Sequence, residues 1–185
     1  MNILHIDSSI TGDASVSRTL SKEIVARLTH STDDAEVTYR DLAAEPLDHL
    51  TLPAFATEES QVALAQFKAA EVVVIGAPMY NFTIPSQLKA WIDRVLIAGE
   101  TFRYTQNGPE GLAGDKRVIV GLSRGSLYGE DNGMRAFEHV ETYLTGAFAF
   151  VGVTNVEFVI AEGLKVSEET AAAALASARG AIASL

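Results

Sequence analysis

An uninterrupted run of β-branched residues at positions 72–75 (VVVI) constrains the fold of this chain more than any other feature. Because the run does not alternate with polar residues, it predicts a strand buried on both faces, as in the centre of a parallel sheet. Pro78 cannot donate to a sheet ladder, so the strand must end near it. The chain therefore needs at least one flanking strand on each side and a layer of helices on each face.

The loop that follows this strand is a candidate binding segment. Residues 79–82 (MYNF) offer aromatic and amide groups, and a helical pattern opens at Ile84. Ligands of open α/β sheets bind beyond the carboxyl ends of the strands, where this loop must lie. An alternative stays open, in which the side chains of the loop only cover the core beneath it.

The rest of the chain alternates between strand-like and helix-like segments. Five alternations imply a parallel sheet with right-handed crossovers, and five strands favour the flavodoxin-like order 2-1-3-4-5. We predict one doubly wound α/β domain over residues 1–185, with helices on both faces of the sheet. The predicted strands cover 2–7, 35–40, 72–78, 116–122 and 153–161, and the predicted helices begin near Ser17 and cover 59–70, 84–98, 132–150 and 167–185.

Charge and composition exclude several classes of function. The chain carries 14 Lys and Arg against 24 Asp and Glu, a formal charge of −10. Since nucleic-acid binding needs a basic footprint, we expect no nucleic-acid partner. The chain also has no polybasic segment that could bind a membrane surface, so we expect no membrane partner. The absence of cysteine removes thiolate catalysis and cysteine metal sites. We find neither a signal-peptide pattern nor an apolar run near the ~20 residues of a membrane span, so we expect a cytoplasmic protein.

A loop rich in hydroxyl groups, residues 8–17, connects the first strand to the first helix. The first turn of a helix presents unpaired N–H groups and the positive end of the helix dipole, which attract an anion. Ser15 and Ser17 add hydroxyl donors and Arg18 adds a positive charge. The loop has one glycine and matches neither a Walker A loop nor a dinucleotide turn, so a phosphate monoester fits it better. The simpler alternative is that Ser15 or Ser17 only caps the helix.

A third loop, residues 123–126 (SRGS), follows the fourth strand at the same edge of the sheet. These loops hold no paired carboxylates and no G-x-S-x-G elbow, which disfavours glycosidase and serine hydrolase chemistry. The four histidines share no metal-ligand spacing, so no metal site is expected. A site that is poor in acid–base groups, yet able to hold a phosphate and a flat ring, suggests that a cofactor carries the chemistry.

Six motifs along the chain carry a resemblance to a known family. They read SSI, SVS, APMYNFTIPSQLKAWIDRV, TFRYTQNGPEGL, SRG and FVGVTNVEFVIAEG. Through these motifs, in the same order and along nearly its whole length, the chain resembles the FMN-dependent NADH azoreductase and NAD(P)H quinone reductase family. Three features depart from that pattern: Ser126 replaces a second glycine, segment 42–59 is shorter, and segment 127–138 is longer.

The resemblance implies a flavodoxin-like homodimer with one FMN in each site, and the wide apolar surface of the predicted helix 84–98 is modest support for a dimer. It implies that the chemistry belongs to FMN, and it names no acid or base. By similarity, the FMN phosphate contacts Ser9, Ser15, Val16 and Ser17; the isoalloxazine contacts Met79, Tyr80, Asn81 and Phe82; its pyrimidine end contacts Ser123, Arg124, Gly125 and Ser126; and Tyr104, with Phe150 of the partner subunit, shapes the pocket above the ring.

The activity implied by the resemblance is ping-pong hydride transfer. NADH is the expected donor, with NADPH left open, and the acceptors are small aromatic compounds, namely quinones and azo compounds. The competing hypothesis is a flavodoxin-like electron carrier that holds FMN without turning over NADH. The aromatic pair in the insertion 99–115 counts against a carrier, which needs no roof over its flavin. A cofactor-free α/β binding domain would leave the convergence of three loops unexplained.

Overall fold

A computed structural model describes residues 1–30, 32, 34–129 and 133–185 of the chain. Strands and helices alternate along it, with one extra pair of short strands in the middle. The elements are β1 (Asn2–Asp7), α1 (Val16–His30), β2 (Glu36–Asp41), α2 (Glu58–Ala69), β3 (Val72–Pro78), α3 (Ser86–Val95), β4 (Phe102–Thr105), β5 (Gly108–Gly111), β6 (Arg117–Ser123), α4 (Val140–Phe150), β7 (Asn155–Ala161) and α5 (Glu168–Ala183).

The main sheet has five parallel strands in the order β2-β1-β3-β6-β7. Numbered among the five sheet strands alone, this is the predicted order 2-1-3-4-5, and the flavodoxin-like topology is confirmed. Strand β3 lies in the centre and every residue of it is buried, as its unbroken apolar run predicts. In the register of the sheet Asp7 lies opposite Gly76, and Ser123 lies opposite both Pro78 and Ala161. The carboxyl ends of four strands therefore form one edge.

The helices form two layers around this sheet. Leu20 and Ile24 of α1 pack with residues of α5 against one face, while Phe67, Trp91 and Phe148, from α2, α3 and α4, fill the other. Close packing of α1 depends on two glycines of the sheet. A Cβ atom at Gly76 would lie 2.3 Å from Asp7 Oδ1, and one at Gly121 would lie 3.0 Å from Leu20 Cβ.

The segment 99–115, expected as a surface insertion, contains an antiparallel hairpin of β4 and β5. Its turn includes Gly108 with a φ of +107°, and Gly111 packs so closely on Gly152 that a Cβ atom would lie 2.1 Å from Gly152 N. The hairpin is thereby fixed to the carboxyl-terminal end of α4. Strands of four residues with glycine at both ends of β5 give almost no periodic signal, which explains why the sequence does not predict them.

Two helix boundaries differ from the prediction by three residues or more. Helix α3 ends at Val95 instead of 98, because Thr101 Oγ1 donates to the Val95 carbonyl at 2.6 Å and accepts from Ile97 N at 3.0 Å. Helix α4 begins at Val140, after a short 3₁₀ turn at Arg135–Phe137; position 132, where the prediction starts, lies outside the described residues. The Glu138 carboxylate accepts from Val140 N at 2.9 Å and so opens this helix.

Two searches of the described residues bear on partners and metals. No helix among them combines the length and the apolar character that crossing a bilayer requires. No group of three or more His, Asp or Glu side chains within the described ranges converges as metal ligands would.

Candidate functional site

A cavity of about 570 Å³ lies at the carboxyl edge of the sheet, where four strand-to-helix loops meet. It joins the loops after β1, β3 and β6, as the sequence predicts, and adds the loop after β7 and the face of α5. Side chains of both polar and apolar character form the wall. The lining residues are Ser9, Thr11, Ala14, Ser15, Val16, Pro78, Met79, Tyr80, Ser123, Arg124, Gly125, Leu164, Lys165, Ala171 and Leu175.

The loop after β1 presents hydrogen-bond donors of the kind that suit an anion. Ser15 Oγ accepts from Arg18 N at 3.3 Å, which makes Ser15 the cap of α1, and it lies 3.0 Å from Ser17 Oγ. Within the described part of the chain, Val16 N and Ser17 N donate to no acceptor. Two unsatisfied N–H groups beside buried hydroxyls, at the positive end of a helix dipole, suit a phosphate. The capping role and the anion-binding role are therefore compatible.

Ser9 joins this group from the other side of the loop. Its hydroxyl is 1% exposed and lies 3.0 Å from Thr11 Oγ1 and 3.2 Å from the Tyr80 hydroxyl. Tyr80 also accepts from Ile10 N at 3.2 Å, so the loop after β3 braces the loop after β1. The two loops form one rigid wall of the cavity.

The positive charge expected from Arg18 does not face the cavity. Its guanidinium donates to both Asp41 oxygens, at 2.6 and 2.7 Å, and to the Ser9 carbonyl at 2.8 Å. Hydrogen bonding from Arg18 lowers the pKa of Asp41, and burial opposes this effect. Sequence reasoning cannot find this pair, because Asp41 lies on β2 and follows Arg18 by 23 positions.

The loop after β3 has a strained backbone. Asn81 and Phe82 have φ values of +47° and +74°, in the left-handed region that side chains rarely occupy. Tyr80 and Thr83 exchange two backbone hydrogen bonds, of 2.9 and 3.1 Å, which close the turn around this conformation. Met79 N donates to Ser123 O at 2.8 Å and ties the loop to β6. Strain of this kind concentrates at binding sites, where the surrounding structure holds it in place.

This turn divides the predicted ring-binding residues. Met79 and Tyr80 line the cavity, whereas Asn81 and Phe82 lie beyond it. Asn81 borders a neighbouring groove of about 630 Å³, together with Ile84 and Tyr143, and Tyr80 lies between the two and lines both. Phe82 is 43% exposed and contacts the ring of Phe137, with 5.4 Å between the centroids.

The loop after β6 is held by a buried arginine. Arg124 is 4% exposed, and its guanidinium lies 2.8 Å from Glu141, 3.1 Å from Glu162 and 3.5 Å from Glu138. Three carboxylates compensate its charge, so Arg124 fixes the loop and offers the cavity little positive charge. Ser126 does not line the cavity, and its carbonyl accepts from Gly163 N at 3.0 Å. Since its φ is not positive, a serine at this place is unstrained.

The sequence analysis missed the wall contributed by the loop after β7 and by α5. Lys165 N donates to Gly125 O at 2.8 Å, and Leu164 N donates to Arg124 O at 3.2 Å. A Cβ atom on Gly125 would lie 3.2 Å from Lys165 Cγ, so glycine keeps these two loops close. The available signal was the fifth predicted strand, since its carboxyl end must reach the same edge as the others.

Tyr104 and Phe150 lie together outside the cavity. Phe102 joins them, with ring centroids 5.6 Å from Tyr104 and 4.7 Å from Phe150, and Tyr104 is 74% exposed. The amino-terminal end of α4 is near the cavity, because His139 N donates to the Phe82 carbonyl at 3.0 Å. Phe150 closes the other end, about 15 Å away along the helix axis. Within one chain, neither ring covers the cavity.

Comparisons with known proteins agree with this architecture. The model of a family described as having a flavodoxin-like fold matches residues 1–185. The FMN-dependent NADH:quinone oxidoreductase 2 of Bradyrhizobium diazoefficiens is 52% identical, over 100% of this chain and 98% of its own length. The FMN-dependent NADH:quinone oxidoreductase of Methylorubrum populi is 50% identical over the same shares.

Solved structures give the same picture. An azoreductase from Bacillus anthracis superposes with a TM-score of 0.86 at 29% identity, covering 100% of both chains. An FMN-dependent NADH-azoreductase from the same species, solved in complex with FMN, superposes with a TM-score of 0.87 at 25% identity, covering 100% of this chain and 99% of its own.

Proposed function

The chain belongs to the family with the flavodoxin-like fold, and from that premise we propose that it is an FMN-dependent NADH:quinone oxidoreductase that also reduces aromatic azo compounds. The observation that carries the proposal is the anion site at the start of α1, which opens into a cavity flanked by Met79, Tyr80 and Gly125. The names of relatives about 50% identical over the whole chain support the same activity.

The residues of the cavity fit FMN. The hydroxyls of Ser9 and Ser15, with Val16 N, would hold the phosphate. Ser17 is buried and does not line the cavity; it would add its backbone N–H and support the Ser15 hydroxyl, which lies 3.0 Å from its own. Met79 and Tyr80 would lie against the isoalloxazine, and backbone atoms of Ser123 and Gly125 would meet its pyrimidine end. A volume of about 570 Å³ lies in the range of small-molecule sites. Asn81, Phe82 and Ser126, which do not line the cavity, would contribute from its border.

FMN, when bound, supplies two-electron hydride transfer between NADH and a quinone or azo compound. The protein's part is to orient the ring and place donors near its reactive edge. The strained turn at Asn81 and Phe82 would orient backbone N–H groups of this loop toward the reactive edge of the ring. None of the lining residues is assigned as an acid or base. Donor and acceptor use the same opening in turn, which gives ping-pong kinetics.

We further propose that the enzyme is a homodimer in which each subunit covers the cavity of the other. Tyr104 and Phe150 do not line the cavity of their own chain, and Tyr104 exposes 74% of its surface. The groove beside Tyr80, bordered by Ile84 and Tyr143 of the α3 and α4 side, offers a surface for the partner. Tyr104 and Phe150 of the partner subunit would then form the roof. The cytoplasmic location stays a prediction from the sequence.

Anaerobic reduction tests the proposed activity. We expect the purified protein, loaded with FMN, to absorb as a flavoprotein and to lose this absorbance on addition of NADH. Menadione should restore the absorbance and sustain NADH oxidation in the steady state. A protein that ignores FMN contradicts the proposal. Binding of FMN without bleaching by NADH would instead favour the electron-carrier hypothesis.

A further inference from the structure

Arg18 and Asp41 form a bidentate pair directly behind the anion site. Arg18 Nη1 lies 2.6 Å from Asp41 Oδ2, and Arg18 Nη2 lies 2.7 Å from Asp41 Oδ1. The side chains are 14% and 22% exposed, so the pair is largely shielded from water. Parallel N–H to oxygen bonds of this kind are stronger and more directional than single ones. The charge of Arg18 is therefore compensated mainly by Asp41, with Asp7 Oδ2 3.9 Å from Nη1 as a second, more distant carboxylate.

The same guanidinium reaches back along its own loop. Arg18 Nη2 donates to the Ser9 carbonyl at 2.8 Å. Arg18 lies in the first turn of α1 and Ser9 follows β1, so this contact joins the two ends of the loop 9–18. The Ser9 hydroxyl and the Ser15 hydroxyl lie on the cavity side of that loop. Fixing the Ser9 carbonyl therefore fixes where the Ser9 hydroxyl points.

Asp41 is itself anchored. Its Oδ1 accepts from Ala43 N at 3.0 Å and from Ala44 N at 3.2 Å, which locks it into the turn after β2. Asp7 adds a second support, because it accepts from the Tyr39 hydroxyl at 3.0 Å and from Ser21 Oγ at 2.7 Å. These bonds connect the ends of β1 and β2 to α1. The Tyr39 hydroxyl also accepts from Arg18 Nη1 at 3.2 Å, so the same group holds the guanidinium in place.

We propose that Arg18 and Asp41 are positioning residues for the phosphate of the cofactor, acting through the Ser9 carbonyl and not by direct charge. The inference rests on the proposed function, because it presumes that FMN is the ligand. A preorganised loop binds more tightly than one that must be ordered on binding. The pair then affects the part of the binding free energy that depends on the phosphate.

FMN and riboflavin separate this role from a general structural one, because they share the ring and differ in the phosphate. The experiment measures dissociation constants of both flavins for the apoprotein by fluorescence quenching, in wild type, Arg18→Met and Asp41→Asn. We expect both variants to bind FMN about tenfold more weakly, the order of one lost charge-assisted hydrogen bond. Riboflavin affinity should stay within about twofold of the wild-type value.

Arg179→Met is the matched control. Arg179 also makes a guanidinium–carboxylate pair with α1, through Glu23 at 3.1 Å, but far from the loop and at an exposed site. We expect this variant to bind both flavins as the wild type does. If Arg18→Met does not fold, Arg18→Lys keeps the charge and loses the fork, and the same selective loss of FMN affinity is expected.

Three results would decide against the proposal. Equal losses of FMN and riboflavin affinity would make the pair part of the general fold. Unchanged or tighter FMN binding in Asp41→Asn, with weaker binding in Arg18→Met, would show that Arg18 touches the phosphate itself. Unchanged FMN affinity in both variants would give the pair no role in binding. Failure of the wild type to bind FMN would overturn the proposed function instead.

Discussion

Asn81 and Phe82 carry the left-handed backbone that shapes the loop after β3. Asparagine tolerates this region, but phenylalanine with a φ of +74° does so at a cost in free energy. The cost is retained because the turn separates the cavity, with Met79 and Tyr80, from the groove beyond it. The strain is therefore tied to the position of the candidate site.

Two substitutions at Phe82 measure this strain. Phe82→Gly and Phe82→Ala both remove the ring and its contact with Phe137, and they differ in the freedom of the backbone. Because glycine occupies the left-handed region without a Cβ penalty, we expect Phe82→Gly to be more stable than Phe82→Ala by about 1 kcal/mol. Urea unfolding at one pH gives this difference. Equal stabilities would mean that position 82 relaxes once the ring is removed.

Asp41 predicts how stability depends on pH. Its pKa in the folded protein is lowered, chiefly by the hydrogen bonds from Arg18. Since the unfolded chain takes up the proton first as the pH falls, the contribution is present above the ordinary pKa, about 4, and is lost below it. We expect the free energy of unfolding to fall less steeply between about pH 5 and pH 3 in Asp41→Asn than in wild type.

Urea unfolding at several pH values checks this, with Glu157→Gln as the control. Hydrogen bonds from Arg117 lower the pKa of Glu157 in the same way, and this pair lies near the amino-terminal end of β7, away from the cavity. In both variants the free energy of unfolding should therefore fall less steeply with decreasing pH than in wild type, but only Asp41→Asn should weaken FMN binding. If the free energy of unfolding falls equally steeply in wild type and in Asp41→Asn, the assigned direction of the Asp41 pKa is wrong.

The sequence predicts many site residues but not how they are held. Ser9, Ser15, Met79, Tyr80 and Ser123 line the cavity, because Ser123 ends β6 and the others lie in the loops after β1 and β3. The partners of the arginines were not predictable, since Asp41 and the three glutamates around Arg124 come from other elements. Side-chain pairing depends on tertiary contacts, and a strand-and-loop pattern contains no information about them.

At the scale of elements, the packing of α1 on the sheet depends on Gly76. We expect Gly76→Ala to destabilise the protein by about 1–3 kcal/mol, because its Cβ would overlap Asp7 Oδ1 of β1 at 2.3 Å and would press on Ser17 O of α1 at 3.1 Å. Gly180→Ala in α5 is the control, since nothing lies within 4 Å of its Cβ position, and it should stabilise by about 0.5–1 kcal/mol. Thermal and urea unfolding check both values. A neutral Gly76→Ala would show that Asp7 moves aside freely.

The elements themselves were largely predictable. Strand β3 follows from its β-branched run, and the parallel order follows from regular alternation with helices. The hairpin of β4 and β5 was not predictable, because its strands have four residues each and join through a turn that includes glycine. The early end of α3 depends on Thr101, whose hydroxyl competes for the last carbonyls of the helix. Side-chain hydrogen bonds of this kind set where a helix ends, and the hydrophobic periodicity of the sequence does not reveal them.

At the scale of the whole molecule, the proposed dimer would supply the roof of each site from the partner subunit. If Tyr104 covers the partner's cavity, Tyr104→Ala should lower kcat/KM for a quinone about tenfold and leave FMN affinity unchanged. Leu52→Ala, at a residue 84% exposed, should change neither quantity. Light scattering should give twice the mass of the chain. A fully active monomer would contradict the shared site.

The cavity wall also has a consequence for how such a protein can diversify. None of the described residues in segments 42–59 and 127–138 contributes to that wall. The resemblance predicts that these two regions depart in length from the family pattern. Insertions and deletions in these two segments can therefore change the entrance to the cavity, and with it the range of electron acceptors, while the residues that line the cavity stay the same.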